Sequence, residues 1–136
     1  MQKAAFSIIN YQFDKVQIDL NNHHSSTDLA LAFETKGIFD SNSSVFELRF
    51  VVKVSSKETE NPFAEISCKG NFKLEDVSSL EDIPEFFYRN SIAILFPYVR
   101  AYLSLVTTQA NVPGIILPTL NLSNLESELR NNTTTK

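Results

Sequence analysis

The stretch VFELRFVVKVS, Val45 to Ser55, decides the fold. Phe46, Leu48, Phe50, Val52 and Val54 occupy alternate positions, with Glu47, Arg49 and Lys53 between them. That period of two sends successive side chains to opposite faces of a strand. A strand with one apolar and one polar face belongs in an antiparallel sheet covered on one side. Downstream, Ala64, Ile66, Cys68, Gly70, Phe72 and Leu74 share a face, opposed by Glu65, Ser67, Lys69, Asn71 and Lys73, and polar Lys57 to Pro62 closes the hairpin between the two strands. Upstream, Leu29, Leu31 and Phe33 lie on one face of an earlier strand that turns through Asp40-Ser41-Asn42-Ser43. In the first strand Phe6, Ile8, Tyr11 and Phe13 fall out of step with Val16, Ile18 and Leu20, which a bulge or bend near Asp14 explains. The expected fold is α+β, built on a four-stranded antiparallel sheet.

The second half supplies the cover. From Ser91 to Gln109, the residues Ile92, Leu95, Phe96, Val99, Leu103 and Val106 recur at helical spacing. Ile94, Tyr98, Tyr102 and Leu105 make a second stripe. A helix resting on a sheet needs only one apolar face, so the second stripe is assigned to contact between subunits. Pro97 lacks a backbone donor and should kink this helix or lie near its start. Leu80 to Tyr88 reads as a helical turn before it. Val112-Pro113-Gly114 ends it, and Ile115 to Pro118 reads as an extended apolar loop. Ser123-x-x-Glu126 is a capping box for a short helix with Leu122, Leu125 and Leu129 on one side, too short to be stable without packing on something.

With 136 residues, 12 basic and 16 acidic side chains and 43% apolar content, the chain has the balance of one domain. Its expected extent is residues 1–130, with a frayed, disordered polar tail over 131–136. A core of this size needs neither disulfides nor a metal, and Cys68 is the one cysteine. The net charge of -4, without basic clusters, argues against nucleic acid or an anionic membrane as partner. No apolar run approaches the roughly 20 residues that crossing a bilayer requires. Asn10, Gln12 and Asp14 interrupt the apolar start too early for an export signal, so a cytoplasmic location is expected.

Catalytic arrangements are missing from the sequence. His23 and His24 sit side by side in a polar stretch without metal-ligand spacing. Cys68 falls on the apolar face of its strand with no histidine placed to activate it. Gly37, Gly70 and Gly114 are isolated, so no glycine-rich loop cradles phosphate, and Glu58/Glu60 and Glu81/Asp82/Glu85 read as solubilising charge. The expectation is a protein without catalytic residues, metal or cofactor, and not an enzyme.

Ile94-Leu95-Phe96-Pro97-Tyr98-Val99-Arg100, followed by Val112-Pro113 and Leu117-Pro118-Thr119-Leu120-Asn121-Leu122, resembles the SecB family of export chaperones. The Leu-Phe-Pro-Tyr-x-Arg element is the most specific piece. Ala64 to Phe72 is similar to the family's last strand, with its Glu, its Gly and the Phe two residues later. The resemblance covers nearly the whole chain. It implies a four-stranded antiparallel sheet with a long and a short helix on one side, assembled as a homotetramer, a dimer of dimers. Such an assembly holds unfolded polypeptide clients in apolar grooves without ATP and delivers them to the translocase motor SecA.

By matched position, the resemblance places the client groove at Leu29, Leu31, Phe33, Leu122, Leu125 and Leu129. It places the SecA contact at Asp19, Phe63 and Glu65. The two-faced helix suits an oligomer interface through Ile94, Tyr98, Tyr102 and Leu105. Lys15 stands where an acidic residue is expected, and the tail from Arg130 to Lys136 ends basic, which weakens SecA as the recipient. Some SecB-like proteins serve the antitoxin of a toxin-antitoxin pair, and a less acidic surface fits that alternative. A small hydrophobic-ligand or scaffolding module built on the same groove is a further reading, from a different class.

Overall fold

The structure, a computed structural model, describes residues 6–23, 29–56, 61–112, 115, 117 and 122–136. Strand β1 (Phe6–Ile18) is followed by β2 (Leu29–Asp40), β3 (Val45–Ser56) and β4 (Ala64–Leu74), then helix α1 (Glu85–Gln109), helix α2 (Leu122–Asn131) and strand β5 (Thr133–Thr135). The sheet order is β1-β4-β3-β2-β5; the four long strands run antiparallel to their neighbours and β5 runs parallel to β2. The sheet is therefore five-stranded and mixed, where the sequence reading has four antiparallel strands. The expected frayed tail is likewise corrected: Thr133, Thr134 and Thr135 pair with Gly37, Ile38 and Phe39. The missed signal is a run of β-branched residues, which favour extended backbone. The run was too short and too uniformly polar to show a period.

The alternating residues of β3 and β4 form the buried face as expected. Phe46, Leu48, Phe50, Val52, Val54, Ile66, Cys68 and Phe72 are all fully buried. Two bulges, not one, bring β1 into line. Its register against β4 slips between Ile8 and Asn10 and again between Phe13 and Lys15, the second around Asp14 as anticipated. The slips have one effect: Phe6, Ile8, Tyr11, Phe13, Val16 and Ile18 lie opposite Leu74, Phe72, Gly70, Cys68, Ile66 and Ala64, all on the inner face. Each extra residue reverses the period of two, and here each reversal rescues it. The β2–β3 hairpin closes through Asp40, whose Oδ1 accepts from the Asn42 N–H at 3.0 Å, and Ser44, which takes a left-handed φ of 57°. Residues 57–60 of the expected second hairpin loop lie outside the described residues.

Helix α1 crosses the inner face. It starts at Glu85, six residues before the expected start, because Phe87 and Tyr88 prolong the buried stripe of Ile92, Leu95, Val99 and Leu103 toward the N-terminus. The segment from Leu80 to Tyr88 is thus divided between a short 3-10 turn, Leu80–Asp82, and the first turn of α1. Pro97 lies inside the helix and exposed, not near its start. By length and composition α1 could cross a membrane, contrary to the sequence reading, but its apolar content has a use in the core. Phe87 is the hub there, with ring centroids 4.8 Å from Phe46, 4.9 Å from Phe6 and 5.6 Å from Phe72. Gly70 permits the close approach of helix and sheet: a methyl at that position would sit 3.1 Å from Leu95 Cδ1.

The helix ends at Gln109, and Asn111 takes a left-handed φ of 65° just beyond it. Thr107 Oγ1 donates to the Leu103 carbonyl (2.8 Å) and accepts from the Ile115 N–H (3.1 Å), tying the outgoing chain to the helix. Pro113, Gly114, Ile116 and Pro118 lie outside the described residues. Helix α2 begins at Leu122, so Ser123 lies inside its first turn and not at the cap; the side chains of both residues are outside the described set. Phe87→Ala should lower unfolding free energy by about 3–5 kcal/mol, the cost of emptying a buried aromatic site, as checked by urea denaturation.

Candidate functional site

The inner face is not evenly covered. Along β3 and β4 it is sealed, while on the flanking strands it is only half covered. On the β1 flank, Tyr11 stacks on Tyr98 of α1 (centroids 4.3 Å, 24° between planes) and Phe13 on Tyr102 (4.1 Å, 20°). These stacks still leave apolar surface in solvent: Leu105 is 54% exposed, Tyr11 and Tyr98 42%. Of the residues expected at a subunit contact, Tyr98 and Leu105 are thus exposed, and Ile94 and Tyr102 partly buried. Tyr11 extends this surface onto β1, an edge strand. The bulge in β1 was the signal that could have found it.

On the β2 flank, Leu29, Leu31 and Phe33 are half-buried, opposite Ser56, Val54 and Val52. Phe33 packs edge-on to Phe50 (6.2 Å, 74°), which in turn meets Phe96 of α1 at 6.1 Å. Helix α2 lies over the next part of the strand. Thr35 Oγ1 donates to the Leu125 carbonyl at 3.2 Å with Glu128 Oε2 at 3.4 Å, and Leu125 and Leu129 point inward and are buried. The expected groove residues therefore divide. Three strand residues are partly open, two helix residues are closed into the core, and the side chain of Leu122 lies outside the described residues.

Arg130 clasps the far end of α2. It pairs with Glu85 of α1 (3.0 Å) and Glu126 (3.5 Å), and its guanidinium stands 5.2 Å from the centre of the Tyr88 ring. Such partly exposed contacts are individually worth about 1 kcal/mol or less. Among the described residues the helix is held by two leucines, the Thr35 hydroxyl and this polar clasp, with β5 pairing to β2 just beyond it.

The outer face of the sheet carries compensated charge. Lys15 pairs with Glu65 (2.8 Å), Arg49 with Asp14 (2.7 Å) and Glu47 (3.6 Å), and Lys53 with Glu34 (3.2 Å). Burial pushes the Asp14 carboxyl up, but hydrogen bonds from Arg49 and Ser67 and the Arg49 charge outweigh it and hold the group below its ordinary value. Of the residues expected to meet SecA, Asp19 accepts from the Asn21 N–H within its own turn (3.0 Å), and Glu65 is bound to Lys15. Phe63 is 2% exposed beneath the His23 ring, so it offers no free surface. No cluster of three metal-ligating side chains occurs among the described residues. His24 lies outside them. Burial, with the Asp14 charge in support, pushes the Cys68 thiol up to about 12.

A sheet backed by one long helix, with a short helix clasped over one flank, defines a SecB-like α+β fold. A SecB-like chaperone of Mycobacterium tuberculosis, Rv1957, solved with a ChAD peptide from the HigA1 antitoxin Rv1956, superposes with a TM-score of 0.69 at 19% identity, over 86% of this chain and 88% of that one. The model of the family described as preprotein translocase subunit SecB matches residues 8–131, and the chain belongs to that family. Membership supports a chaperone role. An uncharacterized protein of Methanocaldococcus jannaschii, MJ0357, is 41% identical over 51 residues, which are 38% of this chain and 33% of that protein; the match spans about a third of the curated relative.

At pH 8, Cys68 should resist a thiol reagent in the folded protein and react fully once urea unfolds the chain. Rapid labelling of the native state, followed by mass spectrometry, would contradict its placement.

Proposed function

We propose that this protein is an ATP-independent chaperone of the cytoplasm that holds unfolded polypeptides on the half-covered apolar flank of its sheet. The observation that carries the reading is the incomplete cover over Leu29, Leu31 and Phe33 beside a lightly held helix bearing Leu122, Leu125 and Leu129. An unfolded client gains about 25 cal/mol for each Å² of apolar surface removed from water, and several such sites in one assembly add through multivalency. Binding of this kind is tolerant of sequence. Nothing in it calls for a cofactor or for chemistry at a bond, and release follows refolding of the client or its capture by a partner.

The exposed surface of Tyr11, Tyr98 and Leu105 supports self-assembly. We read it as the subunit contact of a homotetramer arranged as a dimer of dimers, with Ile94 and Tyr102 beneath it. Two recipients are compatible with client holding: SecA of the export machinery, and an antitoxin. The compensated outer face and the buried Phe63 favour the second, and the related Mycobacterium tuberculosis chaperone carries an antitoxin peptide. Comparing several unrelated denatured proteins with a single antitoxin partner as clients separates a generalist from a dedicated chaperone.

Leu31→Asp should weaken holding of a reduced, carboxymethylated protein by about tenfold or more, since it places charge where apolar contact is needed, while leaving the assembly mass unchanged. Unimpaired suppression of aggregation would remove the groove assignment. Tyr102→Asp should lower the particle mass measured by multi-angle light scattering, because a charge cannot be buried at a packed interface without a partner.

A further inference from the structure

The open edge of β2 follows from its partner's shortness. The strand has 12 residues, and β5 pairs with only three, Gly37 to Phe39. Among the described residues no strand pairs with that edge before Gly37. The direction of its main-chain groups is given by three contacts. Gly37 N–H donates to the Asn132 carbonyl (3.3 Å), the Phe39 carbonyl accepts from the Lys136 N–H (2.8 Å), and the Thr35 carbonyl accepts from Asn132 Nδ2 (3.3 Å). Alternate residues of a strand aim their polar groups to the same side. Leu29, Leu31 and Phe33 therefore direct theirs to the open edge, and these are the residues whose side chains line the half-covered apolar face. One set of positions offers both a hydrogen-bonding ladder and apolar contact.

An open hollow of about 520 Å³ beside this edge belongs largely to the outer face, where Glu34, Lys36, Arg49 and Val51 line it, and is separate from the apolar flank. The occupant at one end is already visible. Strand β5 is a three-residue extended segment with Thr134 and Thr135 exposed, and it shows that the edge accepts a strand running parallel to β2.

We infer that the β2 edge from Leu29 to Phe39 is a strand-addition site for an extended segment of unfolded polypeptide, with β5 as its internal competitor. The added strand gains main-chain hydrogen bonds that select no side chain, and it places alternate side chains over Leu29, Leu31 and Phe33. To occupy the full edge it displaces β5. This inference rests on the chaperone reading.

The test titrates a reduced, carboxymethylated protein into the wild type, into Thr134→Pro and into the chain lacking residues 133–136. Thr134 N–H lies on the same side of β5 as Lys136 N–H, so proline there removes a ladder donor from an exposed position. Both variants should bind about tenfold more tightly, the change expected when two or three main-chain hydrogen bonds no longer have to be displaced. The Phe39 amide, which faces β5 beside Thr135, should exchange faster in the chain lacking residues 133–136 than in the wild type and regain protection with the client bound. Circular dichroism and particle mass identify a variant that fails to fold, and the other then decides. Wild-type affinity in the folded variants, or a Phe39 amide left unprotected by the client in the shortened chain, overturns the inference alone. Absence of binding by all three forms overturns the chaperone reading and the inference with it.

Discussion

A helix about 10–12 Å across, laid over four long strands spaced about 4.8 Å apart, covers the central pair and leaves the two flanking strands half open. That geometric shortfall governs the rest of the molecule. Inner-face residues of β3 and β4 are sealed against α1, while Tyr11 and Val16 on β1 and Leu29, Leu31 and Phe33 on β2 are not. Each flank meets the shortage in its own way. On β1, aromatic rings stack on the side of α1 and present surplus surface outward; on β2, a second helix of ten residues covers part of the strand. A chain that leaves part of its own sheet uncovered keeps apolar surface exposed on both flanks.

The two flanks differ in permanence. Stacked rings on the sides of a long helix and a long strand are rigid and flat, which suits contact with another copy. Helix α2 is short, and a helix of that length owes its stability to tertiary contact. Among the described residues its contacts include two leucines, the Thr35 hydroxyl and the Arg130 clasp to Glu85 and Tyr88. Low local stability is where opening for a ligand is to be expected. On the polar outer face, several charges are matched in pairs, Lys15 with Glu65, Arg49 with Asp14 and Lys53 with Glu34.

Much of this was legible in the chain. The alternation in β3 and β4 reported a half-covered sheet, and the doubled stripe of α1 reported a helix with more than one contact. The misreadings have physical causes. Phe87 and Tyr88 looked like a separate turn because Pro84 breaks the chain just before them, yet proline is well tolerated at a helix start. Pro97 was the weaker signal: an exposed proline loses one hydrogen bond, and the buried stripe on the opposite side carries the helix through. Two bulges in β1 were read as one, since a second slip restores the phase that the first disturbs. For the groove, Leu125 and Leu129 were correctly set on one helix face, but only the fold shows that this face is shut against the core while Leu29, Leu31 and Phe33 stay partly open.

By itself, then, the sequence determined which residues face inward, because side-chain period is a local property set by backbone geometry. Only the tertiary structure decided how completely each inward face is covered, since coverage depends on the width of one element against another. The same holds for β5. Three threonines carry no period, and their pairing depends on Gly37, which lies far earlier in the sequence: a side chain at Gly37 would bring its Cβ within 2.7 Å of Thr133 Oγ1. A contact between distant segments has no local signature, so the strand that closes part of the β2 edge was invisible until the chain was seen folded.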